Sequence, residues 1–235
     1  MNSTYFYSKK QLYPNRAGAL KEYGSADVTV FGASGTGCHI AIEQEIEEIL
    51  LTRNPEHIYI YASKSAIRSY YELYENNGRV HFCDISKIGL EIPHEEEKNG
   101  FERGKTAWVY VDLYNVPITE KTISNLKAYI TERKNKEENE IRTFICNRYV
   151  AATSCFAKET DCVIIHLMDN DSLNVFARDF SPEKKLKKIR FNTLVKSMAI
   201  KGAHANLRKA KILIGLKNSK GYVFEKKTVA LLKKR

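Results

Sequence analysis

The chain has 235 residues and a mass of 27.0 kDa, enough for one sizeable α/β domain with a real core. Hydrophobic residues at 43% and charged residues at 28% exclude a mostly disordered chain. No run approaches the ~18 apolar residues of a membrane-spanning helix, and the opening stretch MNSTYFYSKKQLYPN lacks the apolar centre of a secretory signal. The five cysteines form no CxxC pair and read as free thiols. The net charge of +10 is unevenly spread. Ser181–Arg235 carries 17 Lys/Arg against 2 Asp/Glu, whereas the first 180 residues carry 21 against 26. A mildly acidic body of residues 1–180 is therefore expected to bear a basic extension, 181–235, packed on it or completing it.

In chain order, Asp27–Gly32 predicts a β-branched strand ending in glycine. Cys38–Leu51 predicts a helix with Ile42, Ile46, Ile49 and Leu50 on one face and glutamates opposite. His57–Tyr61 reads as a strand, Ser63–Glu75 as a helix, and Arg79–Cys83 as a third strand. Glu91–Lys105 reads as an exposed loop. Thr106–Asp112 is a strongly apolar strand, and Thr119 to about Lys136 a helix opened by a capping pattern. Ile141–Cys146 and Asp161–Leu167 supply two more strands. Past Ser181 come a basic helix (Pro182 to about Ile200), a strand at Ala210–Leu216, a turn, and strands at Tyr222–Glu225 and Thr228–Leu232. Strands alternating with helices predict an α/β fold with a mainly parallel sheet covered on both faces, closed by a basic helix and hairpin.

The most informative residues are Gly32-Ala-Ser-Gly-Thr-Gly-Cys-His39, between the first strand and the first helix. Glycines there let successive backbone N–H groups form an anion nest at a helix N-terminus, so the segment has the frame of a phosphate-binding P-loop. Its candidate binding residues are Gly32, Ser34, Gly35, Thr36, Gly37, Cys38 and His39. A working P-loop places Lys and then Ser/Thr where Cys38 and His39 stand: the lysine for the phosphates, the hydroxyl for Mg²⁺. The bland alternative is a glycine-rich turn with no ligand. Asp112, closing an apolar strand, is the candidate to orient hydrated Mg²⁺, but the following residue, commonly a catalytic glutamate, is Leu113. Because a phosphate and its metal must meet, the strands ending at Gly32 and Asp112 are expected to be neighbours.

The loop FGASGTG, followed by EQEIEEILLTRNPEHIYIY, RVHFCDIS and TAWVYVD, resembles the ATPase domain of conjugative-transfer ATPases. These are the type IV secretion motors of the TraE and TraC kind, related to the HerA/FtsK pumping ATPases. The resemblance spans roughly Tyr5 to Arg178 and implies a P-loop NTPase-like fold. The family's acidic motif matches Ala62-Ser-Lys-Ser-Ala-Ile67, which has no carboxylate. Its Gln-Asn sensor pair matches Cys146 and Asn147, of which only the asparagine agrees. Its Asn-Pro-Phe-Asp segment falls on Leu90–His94. Lysine, metal hydroxyl, catalytic glutamate, acidic motif and sensor glutamine are thus all missing, and each such loss commonly costs orders of magnitude in rate.

The expectation is a catalytically degenerate P-loop protein that acts by binding within a DNA-transfer or related assembly. Its partners would be homologous ATPase subunits or other components in an oligomer, in the cytoplasm or peripheral at the inner face of the membrane. ATP or another phosphate-bearing anion is the ligand class, held weakly; no metal is assigned. One alternative is an active or weakly active motor ATPase using a lysine from elsewhere, such as Lys64 or Lys105. Another is a DNA- or RNA-binding module whose surface is Lys184, Lys185, Lys187, Lys188, Arg190, Lys209 and Lys211. An acidic protein surface is the rival partner for those cations. Cys38, a thiol at a helix N-terminus, is a lesser candidate for reactivity. The other histidines show no metal-ligand spacing. Tyr5, Phe6, Tyr7, Tyr13 and Tyr23 read as packing groups before a base-stacking platform, and Tyr70, Tyr71 and Tyr74 as half core, half surface.

Overall fold

The computed structural model describes residues 25–52, 57–85, 107–134, 140–147, 150–200, 209–218 and 221–230. Eight strands form one sheet: β1 (Ser25–Phe31), β2 (His57–Ala62), β3 (Val80–Asp84), β4 (Ala107–Asp112), β5 (Glu140–Asn147), β6 (Cys162–Ile165), β7 (Lys209–Asn218) and β8 (Gly221–Ala230). The helices are α1 (Cys38–Thr52), α2 (Lys64–Tyr74), α3 (Glu120–Lys134), α4 (Val150–Ala157), α5 (Asn170–Asp179) and α6 (Lys185–Lys196). Strand order is β3-β2-β4-β5-β1-β6-β7-β8, parallel from β1 to β6 and antiparallel at β6–β7 and β7–β8.

Strand residues alternate between two faces, and each face has its own core. Val28, Val30, Ile58, Ile60, Trp108, Tyr110, Ile145 and Ile164 meet α1 and α2 through Ile42, Ile46, Ile49, Tyr70 and Tyr74. Phe31, Tyr59, Tyr61, Val109, Val111, Phe144, Val163 and Ile165 meet α3 to α6 through Leu126, Phe156, Phe176, Phe191 and Val195. Full cover on both faces is why the central strands read as continuous apolar runs.

The strands ending at Gly32 and Asp112 are not neighbours: β5 lies between β1 and β4. The expected adjacency is corrected to a gap of two strand spacings, roughly 10 Å. A long side chain from α1 can span that distance. The interposed strand ends at Asn147, whose backbone is in register with Phe31, so all three strand ends open on one edge of the sheet.

Several elements differ from expectation. α4 and α5 were not anticipated. The glutamate face of α1 is not wholly solvent-facing, since Gln44 and Glu45 are buried. The terminal hairpin exists, with β8 one continuous strand where two were expected. Its packing requires Gly215, because a Cβ there would run into the Phe224 ring. The aromatic residues before Ser25, the loop Glu91–Lys105 with Lys105 itself, and the Leu90–His94 match lie outside the described residues.

Candidate functional site

β1 delivers the chain into the loop Gly32–Gly37, and α1 begins at Cys38. Gly32 packs so closely on His166, the residue after β6, that a Cβ would lie 2.8 Å from the His166 Cβ. Gly35 and Gly37 take φ of +77° and +88°, the left-handed region that favours glycine and that turns successive amides toward one side. The loop is tied down from below. The Ala33 N–H donates to the Leu167 carbonyl at 3.0 Å, and Thr36 donates from its backbone N–H (3.3 Å) and its hydroxyl (2.7 Å) to the Ala33 carbonyl. His166 Nδ1 donates to the Thr36 carbonyl at 3.3 Å. Burial pushes the His166 pKa down to about 4, so the ring is a neutral strut. Ser34 and Gly35 form the exposed tip. The first-turn amides of α1 have no acceptor within the helix, as at any helix start.

Cys38, in the lysine position, is only 3% exposed and belongs to the core beneath α1. Burial, and then the Asp112 charge, push its thiol pKa well above the ordinary value, the reverse of the activated thiol considered from sequence. Cys146, in the sensor-glutamine position, is likewise buried with its thiol pKa raised by burial. Leu113, in the glutamate position, is fully buried in the other core.

Asp112, at the end of β4, is fully buried, and the protein satisfies it. Its Oδ2 accepts from His39 Nε2 at 3.0 Å and from the Tyr70 hydroxyl at 3.1 Å, and its Oδ1 from the Tyr114 backbone N–H at 2.9 Å. His39 therefore spans from α1 over the end of β5 to β4. Burial works against a charged ring, but the hydrogen bond and charge of Asp112, helped by Glu43, outweigh it and raise the His39 pKa above its usual value. The Tyr114 ring stands edge-on to His39, with centroids 5.9 Å apart.

These groups line one cleft of about 720 Å³, whose walls include Ser34 of the loop, His39 and Glu43 of α1, Asp112, Tyr114 and Asp169. Opposite the loop, α2 contributes Ser65, Ser69 and Tyr70. There Ala62 is in register with Asp112, and Ser63 caps α2 by accepting from the Ala66 N–H at 3.4 Å. Hydroxyls thus stand where the resemblance would place carboxylates. Asn115, at φ +58°, donates to the Ser65 hydroxyl at 3.4 Å across the cleft. Lys64 is exposed at the first position of α2.

Of the sequence candidates, the structure gathers the loop, His39 and Asp112 at one place, and brings the backbone of Asn147 to the same sheet edge. It does not gather the basic residues there. Lys184, Lys185, Lys187, Lys188 and Arg190 are exposed at the start of α6, and Lys211 is exposed on β7, the strand that Lys209 opens. Sequence reasoning missed Tyr70, Tyr114, His166 and Asp169. Only Asp169 carried a local signal, a capping Asp three residues before Ser172, whose N–H it accepts at 2.8 Å.

The residues present do not fit a Mg²⁺ ion. The hydroxyl position holds an imidazole, and both oxygens of Asp112, the carboxylate in the usual metal position, already accept from protein donors.

No family model matches the chain, and no curated protein sequence matches it. Solved structures do. B204, the DNA-packaging ATPase of Sulfolobus turreted icosahedral virus, is 13% identical over 85% of this chain and 96% of its own, with a TM-score of 0.53. The genome packaging NTPase B204 of Sulfolobus turreted icosahedral virus 2, in complex with AMPPCP, is 14% identical over 85% and 96%, with a TM-score of 0.50. The cytoplasmic domain of the Thermomonospora curvata type VII secretion ATPase EccC is 10% identical, with a TM-score of 0.53, over 90% of this chain but 24% of its own. Such identities speak to architecture alone: the chain has the P-loop NTPase-like α/β fold.

Proposed function

We propose that this P-loop domain works by binding and not by turnover: a degenerate relative of motor ATPases that takes up a phosphate-bearing ligand weakly and serves within an assembly of related subunits. The observation that carries this reading is the state of Asp112. A carboxylate that must orient hydrated metal is instead sealed by His39, Tyr70 and the Tyr114 amide. Cys38 and Leu113 add to it, because the positions for the phosphate lysine and the catalytic glutamate are filled by core side chains. What remains is the part of a P-loop made by backbone, the glycine nest and helix N-terminus, which holds anions without providing the charges that lower a phosphoryl-transfer barrier. Phosphate release from ATP or GTP with Mg²⁺ present is expected at background and unchanged by Asp112→Asn. Release that is robust, Mg²⁺-dependent and abolished by Asp112→Asn would return the chain to the active motors.

For a nucleic-acid contact we propose α6. Its first turns expose Lys184, Lys185, Lys187, Lys188 and Arg190, with Leu186 at 82% and Ile189 at 57% exposure between them, while Phe191 and Val195 anchor the helix to the core. Polyanionic backbones are the natural partner for such a row, and binding should be sequence-tolerant and fall steeply with salt. Titrating duplex and single-stranded DNA at two salt concentrations, with all five cations changed to glutamine, tests this. Binding that the substitutions leave unaltered assigns the interaction elsewhere.

A further inference from the structure

We propose that the His39–Asp112 pair takes the place of the divalent cation in this cleft, so that a phosphate-bearing ligand enters as the free anion and Mg²⁺ adds nothing to its binding. The inference rests on the reading that the loop binds such a ligand, and it specifies in which ionic form.

Mg²⁺ demands near-octahedral oxygen ligands, keeps several of its waters, and is held in P-loop sites by a hydroxyl and a carboxylate together with the phosphates. Here the hydroxyl is replaced by His39, whose Nε2 lies 3.0 Å from Asp112 Oδ2. The carboxylate is fully buried, with the Tyr70 hydroxyl on the same oxygen and the Tyr114 N–H on the other. An ion that takes Oδ2 must displace the imidazole or the Tyr70 hydroxyl and so break a hydrogen bond already made. The place a hydrated metal takes beside the strand-end carboxylate is thus filled by protein donors.

The ring is 36% exposed and lines the cleft, and with Nε2 committed to Asp112 its Nδ1 is the nitrogen left for a ligand. Around it the anion meets the glycine nest and the hydroxyls of Ser34, Ser65 and Ser69. Two other carboxylates share the cleft. Glu43 belongs to α1, and Asp169 is turned onto the start of α5, accepting from the Ser172 N–H at 2.8 Å and from its hydroxyl at 2.9 Å. With no lysine or arginine among the cleft residues to offset them, the expected affinity is low, and His39 supplies a ring-nitrogen contact.

The test is calorimetric titration of the full chain with inorganic pyrophosphate and with ATP, in Mg²⁺ and again in EDTA. Mg²⁺ should not strengthen wild-type binding: the affinity in Mg²⁺ should stay within about twofold of that in EDTA, a difference below ~0.5 kcal/mol, or fall below it as the ion ties up the anion in solution. His39→Ser removes one of the two donors on Asp112 Oδ2 and restores a hydroxyl, so Mg²⁺ should strengthen its binding by about tenfold or more. Wild-type binding that weakens about tenfold in EDTA overturns the inference and leaves the binding reading standing. A folded His39→Ser chain as indifferent to Mg²⁺ as wild type also overturns it. Absence of binding under every condition overturns the inference and the binding reading together.

Discussion

Cys38 and Leu113 occupy the two positions where a phosphate-loop enzyme exposes its charges, and both side chains are buried, one in each core. Simple restoration of the missing residues is therefore costly. Cys38→Lys must either desolvate an ammonium or pull α1 off the sheet, and should lose about 2–4 kcal/mol in denaturant unfolding. A Cys38→Lys chain as stable as wild type would contradict the burial. By the same reasoning exposed Cys155 should react with a thiol reagent in the native protein, whereas Cys38, Cys146 and Cys162 should wait for unfolding. His166 gives a pH signature. Its folded pKa of about 4 lies below the ordinary 6.5, so the unfolded chain binds the proton first as pH falls. Stability from this residue is full above pH ~6.5 and is lost between there and pH ~4, by about 3 kcal/mol at most. His39 runs the other way, its raised pKa adding stability at low pH that fades as pH climbs through the folded value. Thermal melts of wild type and His166→Asn across this range should differ in slope, the variant losing less on acidification. Parallel profiles would exclude the buried neutral ring.

Among elements, β1 and β5 are joined at the end away from the cleft by a buried ion pair that the sequence did not announce. Arg142 Nε lies 2.6 Å and Nη2 3.3 Å from the two Asp27 oxygens, with both side chains fully buried. Their spacing of more than a hundred residues hides any such pairing until the sheet order is known. Arg142→Met alone takes the ion-pair partner from a buried carboxylate and should cost about 3–5 kcal/mol, while Asp27→Leu combined with Arg142→Met should recover much of that loss. Purely additive losses would mean that the pair is not coupled. The two unanticipated helices were hidden for different reasons. α4, Val-Ala-Ala-Thr-Ser-Cys-Phe-Ala, is short and buried at Val150, Thr153, Ser154, Phe156 and Ala157, so it has no polar face to set a period. α5 did carry a signal, with Asp169 capping Ser172 and Leu173 and Phe176 on one face, but its short apolar stripe is easily read as loop. The strands β1, β2 and β4 were legible because burial on both faces made each a continuous apolar run.

At the scale of the molecule, alternation of strand and helix was enough to read a mainly parallel, doubly covered sheet, and the glycine loop was enough to find the cleft. The strand order was not legible, because nothing local in β5 says that it inserts between the loop strand and the Asp112 strand. That insertion is what makes His39 decisive: the gap it opens is bridged by an imidazole instead of a hydrated ion. Tyr70 was legible only as a helix-face aromatic, since its hydroxyl meets Asp112 through the packing of α2 against the sheet and not through any motif. The measurement that tests this most directly is Mn²⁺ binding, read by water-proton relaxation, for wild type, Asp112→Asn and His39→Ser. Wild type should bind no more Mn²⁺ than Asp112→Asn, and His39→Ser should gain one ion once the imidazole is gone. Wild-type binding of one Mn²⁺ that Asp112→Asn abolishes would show that Asp112 is open to metal and would contradict the account.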